Sequence, residues 1–174
     1  SCESHLALMA GPGNIDALIA GRLSYFYNLH GPSMMVNTAC SSGLQALYLA
    51  CNDLYQKRCK MALVGGINLI LDPTRNLGEA LPEIVSPTAR AHTFTNNADG
   101  TGRGEGSICL VLKPFDQAIK DHDGIYAIVR GIESNNDGRS IGVTAPNPKA
   151  QEDVIERAWK NAGLTPERSG YWES

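Results

Sequence analysis

No stretch of this 174-residue chain is apolar over the length a membrane crossing needs, and nothing at its start reads as a secretory signal. Charge of one sign is not in excess either. A formal net charge of −3 gives no electrostatic reason to bind nucleic acid. The five cysteines are odd in number and irregularly spaced. That argues against a disulfide framework and for a reducing, cytoplasmic setting. No cysteine–histidine cluster has zinc spacing; Cys2 and His5 are close, but they are a single pair. No internal repeat is visible. What remains is a chain with 43% hydrophobic residues, an ordinary globular value, and long enough for one domain with a sizeable core.

The most informative stretch is Met34 to Leu44. Met34-Met35-Val36 follows a Gly-Pro turn and reads as a short buried strand. Thr38 to Ser42 is small and polar, so the chain turns sharply there. From Leu44 the apolar residues Leu47, Tyr48, Cys51, Leu54 and Tyr55 follow at helical spacing. Ala46 and Ala50 widen the apolar surface, which predicts a buried helix ending near Gln56-Lys57-Arg58. Cys40 is thus placed between a strand end and the first turn of a helix. Free backbone N–H groups and a partial positive charge gather there. A thiolate in that position is stabilised and serves as a nucleophile near neutral pH. The same N–H groups suit an oxyanion formed on attack at a thioester carbonyl. Position alone leaves an inert, buried thiol equally open.

The remaining chain reads as alternating helices and strands. Asn14 is a plausible N-cap for a helix with Ile15, Leu18, Ile19, Leu23 and Phe26 on one side. Met61 to Leu71 is a near-continuous apolar run, expected as a strand covered on both faces. Residues 72 to 97 are irregular, since Pro73, Pro82 and Pro87 limit any helix to a turn or two. The glycines between Ala98 and Gly106 invite a dinucleotide-loop reading. A loop before them and the strand Ile108 to Leu112 after them exclude it; turns held by Arg103 and Glu105 are the better expectation. Phe115 to Asp123 reads as a short helix or turn, Ile125 to Ile132 as a strand, and Asn135 to Ser140 as a loop. Lys149 to Ala162 is predicted helical, with Val154, Ile155, Ala158 and Trp159 inward and Gly163 as C-cap. Tyr171-Trp172-Glu173 would begin another strand.

Val36-Asn37-Thr38-Ala39-Cys40-Ser41-Ser42-Gly43-Leu44 resembles the active-site segment of the β-ketoacyl synthases, and more narrowly of type I polyketide synthase ketosynthase domains. Asn14 to Leu29, followed by Gly31-Pro32-Ser33, resembles the segment leading to that strand, with Ala20-Gly21-Arg22-Leu23-Ser24-Tyr25 its most specific part. Ser86 to Phe94 resembles the loop past the active-site mouth, and Ala98 to Gly106 matches the family strongly. Gly43 replaces the usual third serine, and Thr101 stands where the family usually has an aromatic residue. Asp137 to Asn147 resembles polyketide rather than fatty-acid ketosynthases.

The resemblance implies a thiolase-like, layered α/β fold, incomplete in this chain. Residues 1–174 would be a partial ketosynthase domain truncated at both ends, holding the later part of the first half and the start of the second. It also implies that Cys40 takes an acyl chain from an acyl carrier protein for decarboxylative condensation with a malonyl-type extender. No cofactor would be bound directly, because substrates arrive on the carrier's phosphopantetheine. Implied partners are the acyl carrier protein, other polyketide synthase domains and a second copy in a homodimer, with neither nucleic acid nor membrane. His5, His30, His92 and His122 read as surface residues. The family's two catalytic histidines and its lysine would lie beyond Ser174. A fatty-acid-type synthase and a non-catalytic partner subunit are the alternatives; the second usually lacks the cysteine.

Overall fold

The computed structural model describes residues 13, 15–71 and 84–173. Helix α1 spans Ala17–Phe26. A single 3-10 turn, Ala39–Ser41, runs straight into α2, Ser42–Tyr55. Strand β1 is Ala62–Asn68 and β2 is Gly106–Leu112. Short α3 is Phe115–Lys120, and α4 is Pro148–Ala162. A 3-10 turn at Pro166–Arg168 follows. Strands β1 and β2 pair in a two-stranded sheet. The described residues fall into two compact units, one drawn from 1–64 and 111–174, the other from 65–110. No described helix is long and apolar enough to cross a membrane.

The helix ends follow local chemistry. The Asn147 side chain accepts hydrogen bonds from the Lys149 and Ala150 amides, and Pro148 begins α4. Gly163, at φ 64°, closes it as expected. Arg58 pairs with Asp53 at 3.1 Å just past the end of α2. Lys113 ends the β2 segment between Asp121 and Asp123, tying β2 to the residues after α3. The expected cap at Asn14 lies outside the described residues, as do His5, Cys2, Pro73 and Pro82; α1 begins after Asp16 with no side-chain cap.

The strand expectations fare differently. Met34 to Val36 is not a strand, and Met34 and Met35 are 54% and 43% exposed. Ile125 to Ile132 is irregular, with Tyr126 fully exposed, and Tyr171 to Glu173 is irregular too. A strand exists only through ladder bonds to a neighbour, and among the described residues only β1 and β2 supply them to each other. Burial follows the same logic. Val64 and Ala118 are the buried apolar residues among those described, so β1 is not covered on both faces. Helix α2 is half-buried, with Leu44 71% exposed, and Ile155 on α4 is exposed rather than inward.

In the 65–110 unit, Val85 and Thr101 form a parallel bridge that anchors the glycine loop. A Cβ on Gly100, at φ 135°, would lie 2.5 Å from the Ser86 amide nitrogen. Only glycine fits that turn. The Glu105 carboxylate accepts from the Ile70 amide at 2.5 Å, and Asn68 Nδ2 donates to the Gly104 carbonyl. These bonds hold the loop in place, with Glu105 among them as expected.

Candidate active site

Cys40 sits in the middle of the Ala39–Ser41 turn, exposed, one residue pair before α2 begins. The local sequence builds this turn from short polar side chains. Asn37 Oδ1 accepts from the Ala39 amide at 3.2 Å. Ser42 Oγ accepts from the Thr38 amide at 2.9 Å and donates to the Ala39 carbonyl at 2.6 Å. Ser41 Oγ donates to the Thr38 carbonyl at 2.9 Å. Ala39 is held at φ 55°, a left-handed conformation that side chains rarely adopt. Each of these groups bonds backbone rather than pointing outward, which explains why the stretch is rich in Ser, Thr and Asn.

Beside the turn lies a half-open cavity of about 260 Å³. Ser41, Leu44 and Gln45 form one wall; Glu133, Ser134 and Val154 contribute to the other. Ser134 Oγ donates to Gln45 Oε1 at 2.7 Å across it. Glu133 accepts from its neighbour's amide, Ser134 N, at 2.9 Å and from Asn161 Nδ2 at 3.0 Å. The Ser134 amide, foremost, holds the Glu133 carboxyl below its ordinary range. Sequence reading missed this network. Its partners are far apart along the chain, Gln45 and Ser134 being 89 positions apart, and no spacing motif signals them.

The other thiols differ in setting. Cys51 and Cys59 are half-buried, and burial pushes both thiols up, aided at Cys59 by the Asp53 charge. Cys109 is exposed on β2. Among the described residues, no histidine or lysine lines the cavity beside the Cys40 turn. His30 and His122 are exposed; His92 is half-buried, its carbonyl accepting from Thr95.

Residues 3–118 match the model of the beta-ketoacyl synthase N-terminal domain, and residues 126–174 that of the C-terminal domain. The chain is 43% identical over 165 residues to the highly reducing polyketide synthase alnA of Emericella nidulans, covering 95% of this chain and 7% of that protein. It is 45% identical over 162 residues to highly reducing polyketide synthase 40 of Fusarium mangiferae, covering 93% of this chain and 6% of the other. Among solved structures, the oxazolomycin ketosynthase domain of Streptomyces albus superposes with a TM-score of 0.86 at 38% identity, over 90% of this chain and 28% of that one. The module 6 ketosynthase of the Bacillus subtilis bacillaene synthase gives 0.85 at 41% identity, over 89% and 28%. The chain therefore spans under a tenth of those curated relatives and just over a quarter of those ketosynthases.

Proposed function

Since the chain belongs to the β-ketoacyl synthase family and has the thiolase-like α/β fold of its ketosynthase neighbours, we propose that it supplies the nucleophile-bearing part of a polyketide synthase ketosynthase domain. The observation that carries this is the exposed Cys40 in a tight turn at the start of α2, within the matched region. The Cys40 thiolate attacks the thioester carbonyl of an acyl chain held on a carrier protein's phosphopantetheine. The Cys40 backbone N–H is one donor to the oxyanion. Collapse expels the pantetheine thiolate, which takes a proton, and leaves the acyl group on Cys40. A malonyl-type extender then loses carbon dioxide. The carbanion attacks the Cys40 thioester and releases the thiolate.

The histidines and lysine for decarboxylation belong, on this reading, to the remainder of the domain. Carrier protein and neighbouring synthase domains are the partners, in a cytoplasmic homodimer with Met34 to Val36 near its two-fold axis. The exposed Met34 and Met35 and the half-buried Val36 form an uncharged surface that suits such burial. Light scattering of the complete domain at micromolar concentration is expected to give the dimer mass, and a monomer would oppose it.

Acyl loading tests the reading. Incubated with acyl carrier protein, the full-length protein is expected to gain the acyl mass on the Cys40 peptide, and Cys40→Ala is expected to abolish loading and extension. Loading retained by Cys40→Ala would overturn it.

A further inference from the structure

Resting on Cys40 as the nucleophile, we infer that Gln45 and Ser134 are positioning residues, whose mutual bond docks the first turn of α2, and the Cys40 turn that runs into it, onto a segment seated on α4. Ser134 Oγ donates to Gln45 Oε1 at 2.7 Å, and both residues are half-buried. Gln45 is the fourth residue of α2. A directional bond at that point fixes the helix start both along its axis and about it. The segment that offers Ser134 is held to α4 on either side of that residue. Asn161 Nδ2 donates to Glu133 at 3.0 Å, and Asn135 Nδ2 donates to the Ala150 carbonyl at 2.7 Å. Gly131 brings the same segment close against Ala158 and Ala162. Helix α4 is itself closed by Asn147 at its start and Gly163 at its end, which makes it a firm reference.

The Cys40 turn does not supply such an anchor itself. Its bonds from Asn37, Thr38, Ser41 and Ser42 reach no more than four residues along the chain. They set the shape of the turn, not its place against the rest of the molecule. Ala39, at φ 55°, persists only where its surroundings hold it. Ser41, the N-cap of α2, makes no side-chain cap bond, so no cap keeps the first turn from fraying. Apolar packing is thin here too. Leu44 is 71% exposed, and the half-open cavity lies between Ser41, Leu44 and Gln45 on one side and Ile132 and Val154 on the other. The Ser134–Gln45 bond bridges that gap. It also joins the two family regions, since Gln45 falls in residues 3–118 and Ser134 in 126–174. Without it the first turn of α2 loosens, and the N–H groups that favour a thiolate at Cys40 lose their alignment.

Timed iodoacetamide labelling of the full-length protein, read peptide by peptide in a mass spectrometer, tests this. Ser134→Ala and Gln45→Met each remove one end of the bond. Each is expected to slow Cys40 labelling about threefold or more, the size of coupling within one hydrogen-bonded pair. The double variant is expected to be no slower than either alone, because the bond is already lost. Ser134→Thr keeps the hydroxyl and is expected to label Cys40 at close to the wild-type rate. Cys51, further along the same helix, is expected to label at its unaltered rate throughout, which separates positioning from general loosening. An unchanged Cys40 rate in either single variant, or additive slowing in the double, would overturn the inference. So would a Ser134→Thr protein as slow as Ser134→Ala, or faster Cys51 labelling alongside a slower Cys40. Where one single variant does not fold, the other decides together with Ser134→Thr by the same rates. Labelling needs neither carrier protein nor extender. A wild-type protein that fails to condense would therefore count against the ketosynthase reading and leave this comparison standing.

Discussion

Cys40 and Cys109 are both exposed, yet their backbones differ. Cys109 lies within a strand, away from any helix start. Cys40 stands at a helix start, where N–H groups and the helix dipole favour negative charge. Cys51 and Cys59 are held toward the inert thiol by burial. In a complete domain Cys40 is therefore expected to be the first cysteine alkylated, and mass spectrometry at limiting reagent checks it; Cys51 or Cys109 labelled first would refute it. The turn that carries Cys40 was legible in the sequence because its makers are local: Asn37, Thr38, Ser41 and Ser42 lie within three residues of it. The Ser134–Gln45 and Asn161–Glu133 bonds beside it were not legible, because their partners arrive from distant parts of the chain.

Among elements, the same contrast separates helices from strands. Helix α4 carries its own start and stop signals in Asn147, Pro148 and Gly163, and it forms where the sequence places it. Strands β1 and β2 form because each finds the other. Met34 to Val36 and Ile125 to Ile132 have strand-like composition but no ladder partner among the described residues, so composition alone misleads. Two substitutions probe this level. Asn147 caps two amides of α4 and also donates through Nδ2 to the Asp137 carbonyl at 2.8 Å. Replacing Asn147 by Ala is expected to destabilise a complete domain by about 1–2 kcal/mol, the usual cost of a lost N-cap. Gly131 passes close against α4: a Cβ there would lie 2.3 Å from the Ala158 carbonyl oxygen and 2.8 Å from the Ala162 Cβ. Neither neighbour has a flexible end to swing aside, so Gly131→Ala is expected to cost about 1–3 kcal/mol through overpacking. Urea unfolding midpoints measure both, and an unshifted midpoint for either would refute the corresponding contact.

At the scale of the whole chain, the apolar surface sets the behaviour of the isolated 174 residues. Leu44, Tyr126, Ile128, Val129, Phe94 and Leu71 are all exposed, and Val64 and Ala118 are the buried apolar residues among those described. Soluble monomers rarely leave such surface open, and uncovered apolar patches mark interfaces or aggregation sites. The solved ketosynthases are about three and a half times as long as the part this chain matches, since that part is 28% of each. On the proposed reading their additional layers cover these faces and bring the histidines and lysine to Cys40. Expressed alone, the 174 residues are therefore expected to be poorly soluble and to form no condensation product. At most Cys40 would acylate slowly and unassisted, because a helix start activates sulfur but does not decarboxylate a malonyl group. Incubation with acyl- and malonyl-loaded carrier proteins, followed by product analysis, gives the decisive readout. A monodisperse monomer in light scattering would refute the surface argument, and condensed product from these residues alone would refute the division of catalytic groups.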